Sequence, residues 1–296
     1  MATDVLGLRP FVILGVILVG LASAPRPVLS TVSTTEHPYE DHRPAWFFNL
    51  TKRLGNLESQ NAQILTTLNT VTQKLAQHPS NCLEVQQRGH NASGVYNIQP
   101  KFSPKPFPVY CNMETHGGGW TYFIHRNSGQ LDFYLKWNDY KIGFGDLRGE
   151  HWLGLEHLHH LTASDDNEIL VEMADWDGVS AYALYDAFFV GSEETGYALK
   201  ALGVYSGDAG DSMGGYAGMK FTTQDKDQDT RVKSNCAVDE YGAWWYIACS
   251  GSNPTSRYLK QARQAPYMYN IMYWYSFRGA DYSLKMMRMM VRPRRT

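Results

Sequence analysis

Apolar and polar positions follow three different rhythms along this chain, and each rhythm predicts a different kind of element. An unbroken apolar run, Phe11–Leu21, comes first and is followed by Ala22, Ser23 and Ala24, a small-x-small cleavage pattern. The run is shorter than the ~20 residues that span a bilayer, so residues 1–24 are expected to be a cleaved leader, with no membrane insertion afterwards. Residues 25–45 are rich in Pro, Ser, Thr and His and show no hydrophobic period. They read as a linker, with His37 and His42 facing solvent.

The second rhythm is a heptad. Phe47, Leu50, Leu54, Leu57, Asn61, Ile64, Leu68, Val71 and Leu75 are spaced alternately by three and four residues. This seam predicts a coiled coil over 46–77, and therefore a homo-oligomer, ended by His78-Pro79-Ser80. With Leu54 at an a position, Asn61 is also at a and favours two strands. Ile64 and Val71 at d disfavour two strands, which puts a trimer ahead of a dimer. From Cys82 onward the rhythm changes to short apolar and aromatic runs broken by Gly, Pro and Asn. Strands are expected at Ser93–Tyr96, Val109–Tyr110, Trp120–Phe123, Ile169–Trp176 and Tyr182–Val190, and helices at Trp152–Thr162 and Ser192–Leu202. Gly117-Gly118-Gly119 supplies a turn with positive φ. The fold class is α+β, with a stretch from Ser206 to Tyr275 that is mostly loop and needs staples.

Composition narrows the function. The net charge of −2 gives no electrostatic case for a nucleic-acid partner. Four cysteines in a chain with a leader read as two disulfides with three possible connectivities, and the spacing suggests Cys82–Cys111 and Cys236–Cys249. Each bridge is worth roughly 2–4 kcal/mol. Sequons at Asn49 and Asn91 agree with a secreted, extracellular glycoprotein, whereas Asn253 is excluded by Pro254.

One loop carries candidate chemistry. Asp225, Asp227 and Asp229 alternate ahead of Cys236, and an extended run of that kind gathers hard oxygens around one Ca²⁺. An EF-hand is excluded, because its sixth and twelfth positions here are Thr230 and Cys236 rather than Gly and Glu. Enzymatic readings fare badly. Gly210-Asp211-Ser212 echoes a hydrolase nucleophile block, but no His follows His160 to act as base. His151, His157, His159 and His160 lack the helix-face spacing of a zinc site and read as structural.

The motifs from end to end make the domain recognisable: Ser93-Gly94-Val95-Tyr96, Val109-Tyr110-Cys111-Asn112-Met113-Glu114-Thr115, Gly117-Gly118-Gly119-Trp120-Thr121, Asp139-Tyr140-Lys141-Ile142-Gly143-Phe144-Gly145, Asn235-Cys236-Ala237, Gly242-Ala243-Trp244-Trp245 and Tyr282-Ser283-Leu284-Lys285. Over 80–294 the chain resembles the fibrinogen-like C-terminal domain of fibrinogen chains, ficolins, tachylectins, angiopoietins and tenascins. The resemblance implies an antiparallel sheet with few helices and a loop-rich Ca²⁺-binding subdomain. It assigns Ca²⁺ to the Asp227 and Asp229 side chains and to backbone carbonyls near Arg231 and Lys233, although one extra residue precedes Cys236. Lectin-like members hold an acetyl group beside this loop. That pocket implies a cis Ala248–Cys249 bond, Ser250 in place of the usual His, Glu240 where several lectins have Tyr, and a wall from Tyr267 or Tyr269. Apolar lining for a methyl group and a donor for its carbonyl are what such a pocket needs. The expected function is therefore a non-enzymatic, secreted, oligomeric, Ca²⁺-dependent lectin for acetylated glycans in innate immunity. A signalling or adhesion ligand that binds a cell-surface receptor is the alternative.

Overall fold

The computed structural model describes residues 43–262, 266 and 268–295, without the side chains of residues 74–76. The expected leader and most of the linker lie outside the described residues. Two compact units divide the chain, residues 1–65 and 66–296. Among the described residues no helix is long and apolar enough to cross a membrane.

Helix α1 runs over Ala45–Ala76, directly after Pro44. Threonines are poor helix formers, but here their hydroxyls donate back to carbonyls one turn earlier. Thr51 reaches Phe47 O at 3.0 Å, Thr70 reaches Thr66 O at 2.9 Å and Thr72 reaches Leu68 O at 2.8 Å. Among the described residues, the heptad positions Leu50, Leu54, Leu57, Ile64, Leu68 and Val71 are 46–63% exposed. A row of that kind is what a coiled-coil partner would bury.

The remaining elements follow in order: α2 (Cys82–Gln87), β1 (Gly94–Ile98), β2 (Phe107–Asn112), β3 (Trp120–Arg126), α3 (Trp137–Ile142), β4 (Phe144–Gly145), β5 (His151–Trp152), α4 (Leu155–Ser164), β6 (Asn167–Ala174), β7 (Ser180–Tyr185), β8 (Phe188–Val190), β9 (Leu199–Leu202), β10 (Tyr205–Gly207), α5 (Cys236–Asp239), β11 (Ser252–Asn253), β12 (Tyr273–Trp274), α6 (Tyr275–Arg278) and β13 (Met286–Pro293). The main sheet has the order β1-β2-β3-β13-β6-β7-β10, with β4 and β5 attached at β3. Its pairings are antiparallel. The last strand, β13, is thus the central one, and Met289 lies opposite Ile124 on one side and Val171 on the other. Met287, Met289 and Val291 are buried there among Phe123, Val171 and Trp152.

Three expectations are corrected. Ser192–Leu202 is not a helix: Gly196 and Tyr197 both adopt left-handed backbone (φ 70° and 46°), which breaks any helix and starts β9. Tyr182–Val190 is two strands, because β7 ends at Tyr185 and β8 begins at Phe188 and pairs with β9. Trp152 belongs to β5, and the helix after it starts at Leu155. The turn at Gly117–Gly119 does hold φ between 76° and 84° throughout. Built there, a Cβ on Gly118 would come within 2.2 Å of Met113 O.

Candidate functional site

The loop-rich half is organised from its buried side outward. Trp244, Trp245 and Tyr246 are fully buried, so this aromatic run is core and not pocket wall. Trp244 exchanges backbone hydrogen bonds with Thr222 (2.9 and 3.1 Å), and Trp245 Nε1 donates to Tyr197 O at 2.8 Å. These contacts anchor both ends of the acidic loop. Its far end is clipped by the Cys236–Cys249 disulfide, while Cys82–Cys111 ties α2 to β2.

The three alternating aspartates separate into two roles. Asp225 is structural: its Oδ1 accepts from Trp137 N at 2.9 Å and from Thr223 Oγ1 at 2.8 Å. Asp229 caps the following turn, with Oδ1 accepting from Arg231 N and Oδ2 from Cys236 N, both at 2.8 Å. Its carboxyl is held above the usual range first by burial; the two N–H bonds pull it down and neighbouring Asp227 pushes it up. Two of the loop's cations are engaged elsewhere. Lys226 Nζ lies 3.6 Å over the Trp137 ring, and Arg231 Nη1 reaches Asp239 at 3.2 Å and Cys249 Sγ at 3.2 Å. Neighbouring carboxylates are hard-oxygen donors of the kind a divalent cation takes, so Asp227 and Asp229 are the side chains that could hold Ca²⁺ here.

The second half of the site departs from an acetyl pocket. Ala248–Cys249 is cis, and Ala248, Cys249 and Ser250 line a cavity of about 350 Å³ with Asp211, Ser212 and Tyr216. Tyr216 OH accepts from Gly251 N at 2.7 Å and Ser252 N at 3.1 Å, which fixes the segment after the disulfide. Behind Ser250 is Glu240, only 6% exposed. Ser250 Oγ donates to its Oε2 at 2.5 Å, and Tyr273 OH donates to Ser250 O at 2.9 Å and lies 3.5 Å from the same Oε2. Burial pushes the Glu240 carboxyl up to about 7, against the pull of Ser250, Tyr273 and the more distant Arg231. Tyr273 itself is pushed well above the ordinary phenol range, chiefly by burial and then by Glu240.

Among the expected wall residues, Tyr269 is 41% exposed and packs edge-on against Tyr273 at 5.9 Å. Tyr267 lies outside the described residues. Tyr273 and Tyr216 were not picked out from the sequence, whereas Asp211 was noted only in the Gly210-Asp211-Ser212 block. The sequon residues Asn49 and Asn91 are both exposed. The histidines are structural: His157 stacks on Phe107 at 3.9 Å, His159 Nδ1 contacts Val190 O at 2.8 Å, and His151 is buried against Gly149 O. Among the described residues no three His, Cys, Asp or Glu side chains converge on one point.

Comparison with known proteins agrees with this geometry. Residues 78–294 match the family model of the C-terminal globular domain of fibrinogen beta and gamma chains. Fibrinogen C domain-containing protein 1 of Xenopus tropicalis is 42% identical over 222 residues, covering 73% of this chain and 48% of the relative. The chain thus spans about half the length of such relatives. The fibrinogen-like globe domain of human ANGPTL6 superposes with a TM-score of 0.70 at 39% identity, over 74% of this chain and 96% of that one. A lamprey fibrin D-dimer, complexed with the peptide Gly-His-Arg-Pro-amide, gives a TM-score of 0.69 at 27% identity, over 84% and 90%. With this sheet order, these two disulfides and this acidic loop, the chain belongs to the fibrinogen C-terminal domain family.

Proposed function

We propose that this chain is a secreted, oligomeric, Ca²⁺-dependent recognition protein whose head grips a protein or peptide ligand on a cell surface. Glu240 is the observation that carries this reading. Its buried carboxyl lies directly behind Ser250, a residue of the cavity lining, and its hydrogen-bond partners there, Ser250 and Tyr273, are neutral. Once ionised, it favours a ligand that brings a cation or strong donors, as peptides do. The peptide carried by the lamprey relative is of that kind.

The cavity of about 350 Å³ at Ala248–Ser250 favours a second reading, a small acetylated glycan. One experiment separates the two. The purified protein is passed over immobilised Gly-His-Arg-Pro-amide and over immobilised N-acetylglucosamine, with 2 mM-range calcium or with EDTA. Retention on the peptide in calcium, lost in EDTA, is expected. Retention on the sugar alone moves the assignment to the glycan.

The exposed heptad supports assembly. Weak single heads gain about 10²–10⁴-fold in avidity when several are joined and the geometry permits simultaneous contact. Leu54→Lys together with Leu68→Lys should convert an oligomer into single chains in sedimentation equilibrium, and lower retention on the surface without changing the affinity of one head. An unchanged mass would remove the coiled coil from the account.

A further inference from the structure

The main sheet ends at β1 on one side and at β10 on the other. β10 is three residues long, whereas β1 has five and offers another strand the longer template. Pairing with β2 uses only one side of β1. Asn97 lies opposite Pro108, which has no N–H to exchange, so the two form a non-hydrogen-bonded pair. Such pairs alternate along an antiparallel ladder, so Val95 is of the same kind. Both residues therefore turn their N–H and C=O groups away from β2. Gln99 points the same way one step on, and its N–H donates to Pro79 O at 2.8 Å. Among the described residues no backbone group does the same for Val95 or Asn97.

Proline closes one end of this gap, and a sequon stands at the other. Asn91 and Ala92 are exposed just ahead of the strand. The sequon lies against the strand it precedes: Tyr96 OH donates to Ala92 O at 2.8 Å, and the His90 and Tyr96 rings are 5.9 Å apart. Ser93 Oγ accepts from Met113 N at 3.0 Å, which ties the same segment to the end of β2. Even fully extended, the chain from Asn91 to Asn97 covers only about 20 Å.

We propose that Asn91 carries an N-glycan that guards this edge and keeps two heads from joining through an antiparallel β1–β1 pairing. The bare edge is self-complementary. A two-fold axis through Tyr96 sets Val95 of one copy opposite Asn97 of the other, and each such pair exchanges both of its hydrogen bonds. The strand Gly94–Ile98 has no charged residue, so it lacks the lysine with which edge strands repel a second copy. A glycan is bulky and hydrated. On Asn91 it fills the space that a second strand would enter and leaves the edge groups to water.

The test uses the full-length protein secreted from mammalian cells. Glycopeptide mass spectrometry should find Asn91 occupied. In sedimentation velocity over a range of concentrations the parent should keep one mass, whichever assembly α1 gives, and Asn91→Gln should rise to about twice that mass. Asn49→Gln, which removes a sequon from α1 instead, should not rise. Ser93 is left intact because it holds Met113 N. Adding Asn97→Pro deletes one outward N–H and no bond to β2, and should return the Asn91→Gln protein to the mass of the parent. Asn97→Lys replaces it if the proline lowers the melting temperature. An empty Asn91, a mass for Asn91→Gln that never exceeds the parent's, an equal rise with Asn49→Gln, or a rise that neither Asn97 variant suppresses would overturn the assignment.

Discussion

Replacing Asp229 with alanine should abolish the calcium response of the head and its ligand retention together, while Asp225→Ala should leave both in place. The two carboxylates make similar backbone contacts in the same loop but differ in purpose. Asp225 joins the loop to the start of α3 through Trp137 N and to Thr223 Oγ1. Asp229 holds Arg231 N and Cys236 N, and is the one whose carboxyl is raised in part by neighbouring Asp227. Two lost hydrogen bonds cost about 1 kcal/mol each in either variant. Calcium adds a further term only where it binds. At millimolar calcium and the affinity usual for extracellular modules, that term is about 1–2 kcal/mol. Thermal unfolding with calcium and with EDTA should therefore show a calcium-dependent rise for the parent and for Asp225→Ala, and none for Asp229→Ala. A full calcium shift in Asp229→Ala would remove the ion from this loop.

What could be read from the residues alone divides by how local the determinants are. The heptad of α1 was legible because every contact it predicts lies three or four residues away. The alternating run Asp225, Asp227 and Asp229 was legible as local chemistry for a similar reason, and the family pattern added which two of the three to propose as ligands. Strand β13 was not. Met286, Met287, Arg288, Met289 and Met290 lack the β-branched and aromatic residues that announce a strand. The element exists because β3 and β6, more than a hundred residues earlier in the chain, offer it two edges at once. The helix expected over Ser192–Leu202 failed on backbone conformation: Gly196 was visible, but nothing in its neighbourhood announced a left-handed Tyr197. In the ligand face the identity of Glu240 was legible and its surroundings were not. Ser250 and Tyr273 approach it from ten and thirty-three residues away, and only the fold makes that carboxyl a buried one.

Glu240→Gln should make the protein more stable at pH 8 and leave it nearly unchanged at pH 4. In the folded chain Glu240 keeps its proton up to about pH 7, against an ordinary value of 4.5, because burial disfavours the anion. Below 4.5 both folded and unfolded chains are protonated, and the residue brings no penalty. As pH rises from 4.5 to about 7, the unfolded chain ionises while the folded one does not, so stability falls across that window. Above about 7 both are ionised and the loss levels off, at roughly 3 kcal/mol for a gap of this size. Glutamine keeps an oxygen to accept from Ser250 Oγ and carries no charge, so it should remove most of that loss and flatten the profile. Melting temperatures of both proteins from pH 4 to pH 8 measure it; a constant offset at every pH would mean that the side chain matters only through packing. The same substitution tests the ligand. If an ionised Glu240 receives a cationic peptide group, the variant should lose peptide retention even as it gains stability, and the parent's retention should decline as pH falls below about 7. A stabilised variant that still holds the peptide would separate the carboxylate from recognition and leave the Ser250 cavity as the contact.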